Sequence, residues 1–289
     1  MEAINKITWR EKLKGYKKDP FSAVLLLLVV LAAVVTVGVL VSLVAYIVIK
    51  GVPNITPQLF AWTYNSENVS MLPAIINTIT ITLLSLLFAV PIGIFSAIYL
   101  AEYAKRGNRF IPVVRLTTET LAGIPSIVYG LFGYLLFNIH LGWGYSILGG
   151  ALTLAIMILP LIMRTTEEAL HSVSDAFREG SFGLGAGKLR TVFRIVLPSA
   201  VPGILSGVIL AIGRIVGETA ALLYPAGTAP VVPGSIMESG RTLAVHMYAL
   251  LNEGLYMDQA YATAVILLVL VIGINALSAF IAKRVGVKE

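Results

Sequence analysis

The chain has 289 residues, of which 57% are hydrophobic and 12% charged, with a mean hydropathy of +0.89. Soluble domains carry about 45–50% apolar and about 25% charged residues, so this balance excludes a soluble globular protein and predicts an all-α, polytopic membrane protein. Cysteine is absent, which excludes disulfides and thiolate metal sites, and His140, His171 and His246 have no mutual spacing that suggests a metal centre.

A helix needs roughly 20 apolar residues to cross about 30 Å of hydrocarbon. Six stretches qualify, at about 21–49, 72–100, 113–137, 147–163, 200–223 and 260–282. The first is too long for a signal-peptide core of about 7–15 residues and is expected to stay as an anchor. Asn77 to Thr82 alternates like a strand, but inside an apolar run of spanning length the backbone must bond internally. Helix is therefore expected, with the threonines bonding back to the preceding turn or to a neighbour. Pro91, Pro125 and Pro160 fall within the second, third and fourth spans and predict kinks. Gly203 and Gly207, then Gly213 and Gly217, put small residues at four-residue spacing on the fifth span, as close helix packing requires. Between the last two spans a long loop carries Pro225, Pro230 and Pro233, and Arg241 to Leu251 predicts a short interfacial helix.

The formal charge of +6 does not point to nucleic acid, because the basic residues are sorted along the chain. Lys6, Arg10, Lys12, Lys14, Lys17 and Lys18 precede the first span; Lys105, Arg106 and Arg109 follow the second. Arg178, Lys188, Arg190 and Arg194 follow the fourth, and Lys283, Arg284 and Lys288 the sixth. The alternate connections hold only Lys50 and Arg241. The positive-inside rule then predicts that both termini and the 168–199 connection are cytoplasmic.

That connection carries Glu179-Gly180-Ser181-Phe182-Gly183-Leu184-Gly185 and, further on, Ile195-Val196-Leu197-Pro198. Ser174 or Asp175 is placed to cap a short helix through about Phe182. Gly183, Gly185 and Gly187 permit a reversal, and Lys188 to Val196 predicts a second helix that stops at Leu197-Pro198. Gly183 to Lys188 faintly resembles a phosphate-binding loop but fails: Phe182 stands where the leading glycine belongs, Leu189 replaces Ser or Thr, and no buried strand precedes it. Energy from ATP would therefore have to come from a partner.

Two charged pairs fall within or at the edge of apolar spans. Arg214 and Glu218, four residues apart, are expected on one face of the fifth span. A charge at mid-bilayer costs at least about 2.5–3.5 kcal/mol, so the pair is either a structural lock between helices or part of a polar path. Arg115 and Glu119 make a similar i,i+4 pair beside Thr117, Thr118 and Thr120, read as a self-satisfied snorkelling pair or as an inner gate.

The spacing of Glu179, Gly180, Ser181, Gly185, Ile195, Leu197 and Pro198 resembles the ATPase-docking loop of ABC-importer permeases, with Gly180-Ser181 where that family usually has two alanines. Thr117 to Gly133, and Gly217-Glu218-Thr219-Ala220-Ala221-Leu222-Leu223-Tyr224 preceded by Arg214, are similar to the phosphate-specific ABC transporter permeases of the A type; Pro225-Ala226-Gly227 departs where Thr-Ala-Gly is expected. The resemblance implies a MetI-like fold in a bacterial or archaeal cytoplasmic membrane and a non-catalytic subunit. It implies a cytoplasmic N-terminus over 1–20, a first helix and outer loop over 21–71, a permease core over 72–284 and a cytoplasmic C-terminus over 285–289. The partners implied are a C-type sister permease, two copies of a nucleotide-binding ATPase that uses ATP and Mg, and an extracytoplasmic phosphate-binding protein, with no cofactor on this chain. It also implies that Arg214 and Glu218 lie on or beside the phosphate path. Molybdate or sulfate as substrate, or an ion-coupled secondary transporter, are the alternatives.

Overall fold

The computed structural model describes residues 20–104, 107 and 109–285, and is helical throughout, with no strand among the described residues. The basic N-terminal segment expected over 1–20 lies outside the described residues except for Pro20, as do Lys105, Arg106 and Lys288. The chain divides into two units, Met1–Lys50 and Gly51–Glu289. The described part of the first is helix α1 (Pro20–Gly51, reaching the boundary), apolar on every side, as befits a helix surrounded by hydrocarbon. Thr36 Oγ1 donates to Ala32 O and Ser42 Oγ to Val39 O, so its hydroxyls are satisfied within the helix.

The second unit contains α2 (Leu72–Ile98), α3 (Phe110–Ala122), α4 (Ser126–Gly133), α5 (Ile147–Ser172), α6 (Asp175–Gly183), α7 (Lys188–Thr191), α8 (Leu197–Val216), α9 (Leu243–Glu253) and α10 (Met257–Val285). π turns extend α2 over Tyr99–Tyr103 and α4 over Tyr134–His140, and a third, Val192–Val196, joins α7 to α8 without a break. The alternating threonines are helical as expected: Thr78, Thr80 and Thr82 each donate to the carbonyl four residues back. Ser85 Oγ lies 3.0 Å from Ala151 O of α5, adding a bond between helices.

α5 is central, packing against α2 and α8, and α8 in turn meets α10. Ile81, Leu154, Ile158, Ile162 and Ile215 fill the space between them. Lipid is as apolar as leucine, so close approach rather than transfer from water must hold such helices together. A Cβ on Gly207 would overlap Thr165 of α5, and one on Gly203 would sit 2.7 Å from Ala169 Cβ. Gly213 is looser, with Asn275 of α10 at 3.8 Å, and Gly217 has left the helix as its C-cap.

Three expectations are corrected. The third span is not one kinked helix: α3 ends at Ala122, Gly123 to Pro125 breaks it, and α4 leaves at 101°. Pro125 lacks an N–H and disfavours helical Ile124 before it, so it starts α4 instead of bending a continuous helix. Among the described residues, five single helices are long and apolar enough to span, or six if this bent pair is counted as one. The fourth span runs on to Ser172, well past Met163, and the fifth stops at Val216, short of Leu223. Residues 219–226 are instead a compact run of turns, with Leu222 N donating to Thr219 O and Ala226 N to Leu222 O.

Candidate functional site

The connection between α5 and α8 folds largely as its local signals dictate. Ser174 caps α6, its Oγ accepting from Ala176 N at 3.4 Å. Of the three glycines only Gly185 adopts a left-handed conformation, with φ +80°, while Gly187 is extended. The second helix does not stop at Leu197-Pro198. The preceding π turn leads straight into α8, whose first turn requires no amide from Pro198. A groove of about 520 Å³ runs between the two helices and gathers Gly180, Ser181, Gly185 and Ile195 with Phe177, Arg190 and Arg194. Glu179 is exposed outside it, and Leu197 and Pro198 belong to the through-going helix.

Ser181 is buried, and its Oγ lies 2.8 Å from Thr191 Oγ1, tying α6 to α7. No alanine supplies that bond. Gly180 faces open space.

Arg178, which the sequence marks only as a topology charge, commits its guanidinium in every direction. Nε and Nη2 donate to Glu102 Oε1 at 3.2 and 2.7 Å, Nη1 to Asp175 Oδ1 and Val173 O, and Nη2 also to Leu170 O. Lys188 Nζ sits 5.2 Å over the ring of Tyr103, next to Glu102. The connection is therefore fastened to the end of α2, about 75 residues earlier in the chain. No local signal reveals this.

The second site is a cavity of about 420 Å³ on the same side of the bundle, lined from α3 by Arg115, Thr118 and Glu119, from α5 by Arg164, Glu167, Glu168 and His171, and from α8 by Arg214. It unites Arg214 with the expected gate pair but leaves out Glu218. Neither i,i+4 pair forms. Arg115 pairs with Glu167 across to α5, because the long extension of that helix brings a carboxylate to it. Glu218 follows the helix end at Gly217, and its Oε1 accepts from Ala221 N at 3.1 Å, capping the next turn. Arg164 pairs with Glu168 at 2.9 Å. Among the described residues, Arg214 thus remains in the cavity with no carboxylate partner. Sequence reasoning also missed Arg164, Glu167 and Glu168, which read as the end of an apolar span.

The turn that carries Glu218 packs against α4. A Cβ on Gly130 would lie 2.8 Å from Ala220 O and 3.0 Å from Ala221 Cα, so two stretches 90 residues apart meet backbone to backbone.

An all-helical bundle with a grooved connection on one face, and a polar cavity holding an arginine outside any ion pair, defines a membrane-spanning transport subunit. The family model described as "Binding-protein-dependent transport system inner membrane component" matches residues 89–287, and the chain belongs to this family of multi-pass ABC permeases. Such subunits are non-catalytic, ATP being hydrolysed by a separate ATPase. Over 244 residues the chain is 37% identical to the "Probable ABC transporter permease protein YqgI" of Bacillus subtilis (strain 168), covering 79% of this chain and 82% of the relative. Over 258 residues it is 34% identical to the "Phosphate transport system permease protein PstA" of Mycobacterium leprae (strain TN), covering 85% and 84%. In fold it is similar to a chain of the bacterial alginate ABC transporter in complex with an alginate pentasaccharide-bound periplasmic protein, with a TM-score of 0.69 at 19% identity, covering 94% and 97% of the two chains. A chain of the inward-facing MetNI methionine ABC transporter gives a TM-score of 0.63 at 20% identity, covering 74% of this chain and 95% of that one.

Proposed function

We propose that this chain is the A-type permease subunit of an ATP-driven importer of inorganic phosphate in the cytoplasmic membrane, with both termini and the docking connection on the cytoplasmic side. It works with a C-type sister permease, two copies of an ATPase that uses ATP and Mg, and an extracytoplasmic phosphate-binding protein, and holds no cofactor itself. The phosphate transport permeases among its relatives support the substrate.

One observation carries the reading: an unbroken run from Lys188 to Val216 bears both the docking-groove residues Arg190, Arg194 and Ile195 and the cavity residue Arg214. Force applied by an ATPase in the groove moves Arg214 along the same helix. The planar guanidinium donates pairs of hydrogen bonds that match two oxygens of a tetrahedral anion, and a low-dielectric cavity strengthens them. Arg115 and Arg164 are paired and Glu119 offsets the remaining charge, so the cavity has no net charge and an anion would be held by the free donors of Arg214.

Arg214→Gln should abolish ATP-driven phosphate uptake by the reconstituted complex while leaving assembly intact. Failure to assemble would make Arg214 a structural residue. Uptake of sulfate or molybdate in preference to phosphate by the unaltered complex would change the substrate and keep the class.

A further inference from the structure

On the face opposite the docking connection lies a cluster that shares no residue with the cavity of Arg214. Gly240 packs against Asn77 and Ile147 at the N-terminal ends of α2 and α5, which fixes the side, and Asn77 Nδ2 donates to Arg241 O at 3.2 Å. Arg241 is 4% exposed and His246 fully buried. The Arg241 guanidinium lies 4.8 Å over the ring of Tyr64, which also meets the edge of the His246 imidazole, 6.1 Å between centroids, and packs against the cluster of Val69, Leu250 and Ala260.

Nε and Nη2 of Arg241 are buried without a hydrogen-bond partner, while His246 lies by the backbone of Val69. Those two arginine nitrogens form the side-on edge of the guanidinium, the fork that grips two oxygens of a carboxylate or phosphate. No carboxylate among the described residues lies within ion-pair distance of Arg241. The charge of Glu253 reaches Arg241 without pairing with it. α9 begins at Leu243 behind its Thr242 cap, so its positive N-terminal end adjoins the Arg241 backbone. Burial keeps His246 neutral, pushed down to about 3 with the Arg241 charge acting in the same sense.

A buried cation without a counter-ion is costly, and a buried donor left unpaired costs about 1–3 kcal/mol, more when it is charged. We propose that Arg241, with His246, forms a second anion site, on the face opposite the docking connection, that takes a free inorganic oxyanion when the Tyr64 ring moves off the guanidinium. Tyr64, half-buried against Val69, Leu250 and Ala260, is the element that has to yield. It sits in the loop before α2, which includes Val69, a β-branched residue held at φ +45°. The site does not rest on the reading of Arg214.

The test uses the full chain carrying Arg214→Gln, purified in detergent without nucleotide, so that the cavity cannot supply the signal. Inorganic phosphate should raise its thermal midpoint saturably. Adding Arg241→Lys, which keeps the charge and loses the fork, should weaken the apparent affinity about tenfold or more. An unchanged saturation curve in that double variant overturns the site. Hydrogen exchange on the Arg214→Gln chain alone gives a check that needs no second substitution: phosphate should alter exchange over residues 63–70 and 241–246, and no change there also overturns it. A shift produced by phosphatidylglycerol and not by inorganic phosphate would assign the site to a lipid headgroup and refute the free-anion reading.

Discussion

Substituting Gly130 by alanine tests whether the meeting of α4 with the 219–226 turn matters. The added methyl would sit 2.8 Å from Ala220 O and 3.0 Å from Ala221 Cα, where ordinary contact begins at 3.4 Å. Both obstacles are backbone, so no side-chain rotation relieves them, and the turn must retreat by several tenths of an ångström. Overpacking of this kind costs about 1–3 kcal/mol, partly offset by up to about 1 kcal/mol gained from replacing glycine within a helix. Glu218 caps the displaced turn and Arg214 ends the helix leading into it, so uptake should fall more than stability. The assay pairs the thermal midpoint of the purified chain with initial uptake rates in proteoliposomes, and Gly273→Ala, which meets nothing within 4 Å, serves as control. If Gly130→Ala and Gly273→Ala behave alike in both measurements, the backbone contact has no role and the reasoning fails.

Arg178→Gln should release the docking connection from α2 at a cost of about 3 kcal/mol, since it strands the largely buried Glu102 carboxylate. Hydrogen exchange over 172–187 should accelerate and ATPase retention on the complex should drop; unchanged exchange would count against the staple. Ser181→Ala, although it restores the residue usual in the family, should destabilise the connection by about 1 kcal/mol by removing the partner of Thr191. A more stable variant would show that bond to be idle. His246 has a folded value near 3, below its ordinary 6.5, because burial and Arg241 disfavour its cation. The unfolded chain therefore binds the extra proton between these values, and stability falls as pH drops through that window by about 1.4 kcal/mol per unit. Thermal midpoints from pH 7.5 to 5 should show a slope that His246→Gln reduces, and an equal slope in both proteins would refute the assignment.

What could be read from the sequence was what local chemistry decides. The Ser174 cap, the turn at Gly185 and the back-bonding threonines depend on neighbours within a few residues, and they form as their spacing predicts. Arg178 was not legible because its principal partner is Glu102, supplied by another helix end. The Arg214–Glu218 and Arg115–Glu119 pairs misled for the same reason in reverse. An i,i+4 spacing promises contact only while the helix continues and no better carboxylate arrives, and Gly217 ends one helix while Glu167 reaches Arg115 from α5. The break at Gly123 to Pro125 lay hidden inside an apolar run, where hydropathy cannot distinguish a through-going helix from a folded-back one. Its only signal was glycine two residues before proline.

The π turn at Val192–Val196 gives the docking connection a property that straight helices lack. A π turn holds about one residue more than an α turn in the same span. Rewinding it into regular α-helix would rotate everything beyond by about 100°, the angle one residue subtends. Arg214 lies beyond it and the docking groove lies at or before it. A small rearrangement beneath an ATPase would then act as a clutch, turning the guanidinium about the helix axis into or out of the cavity with hardly any sliding of α8.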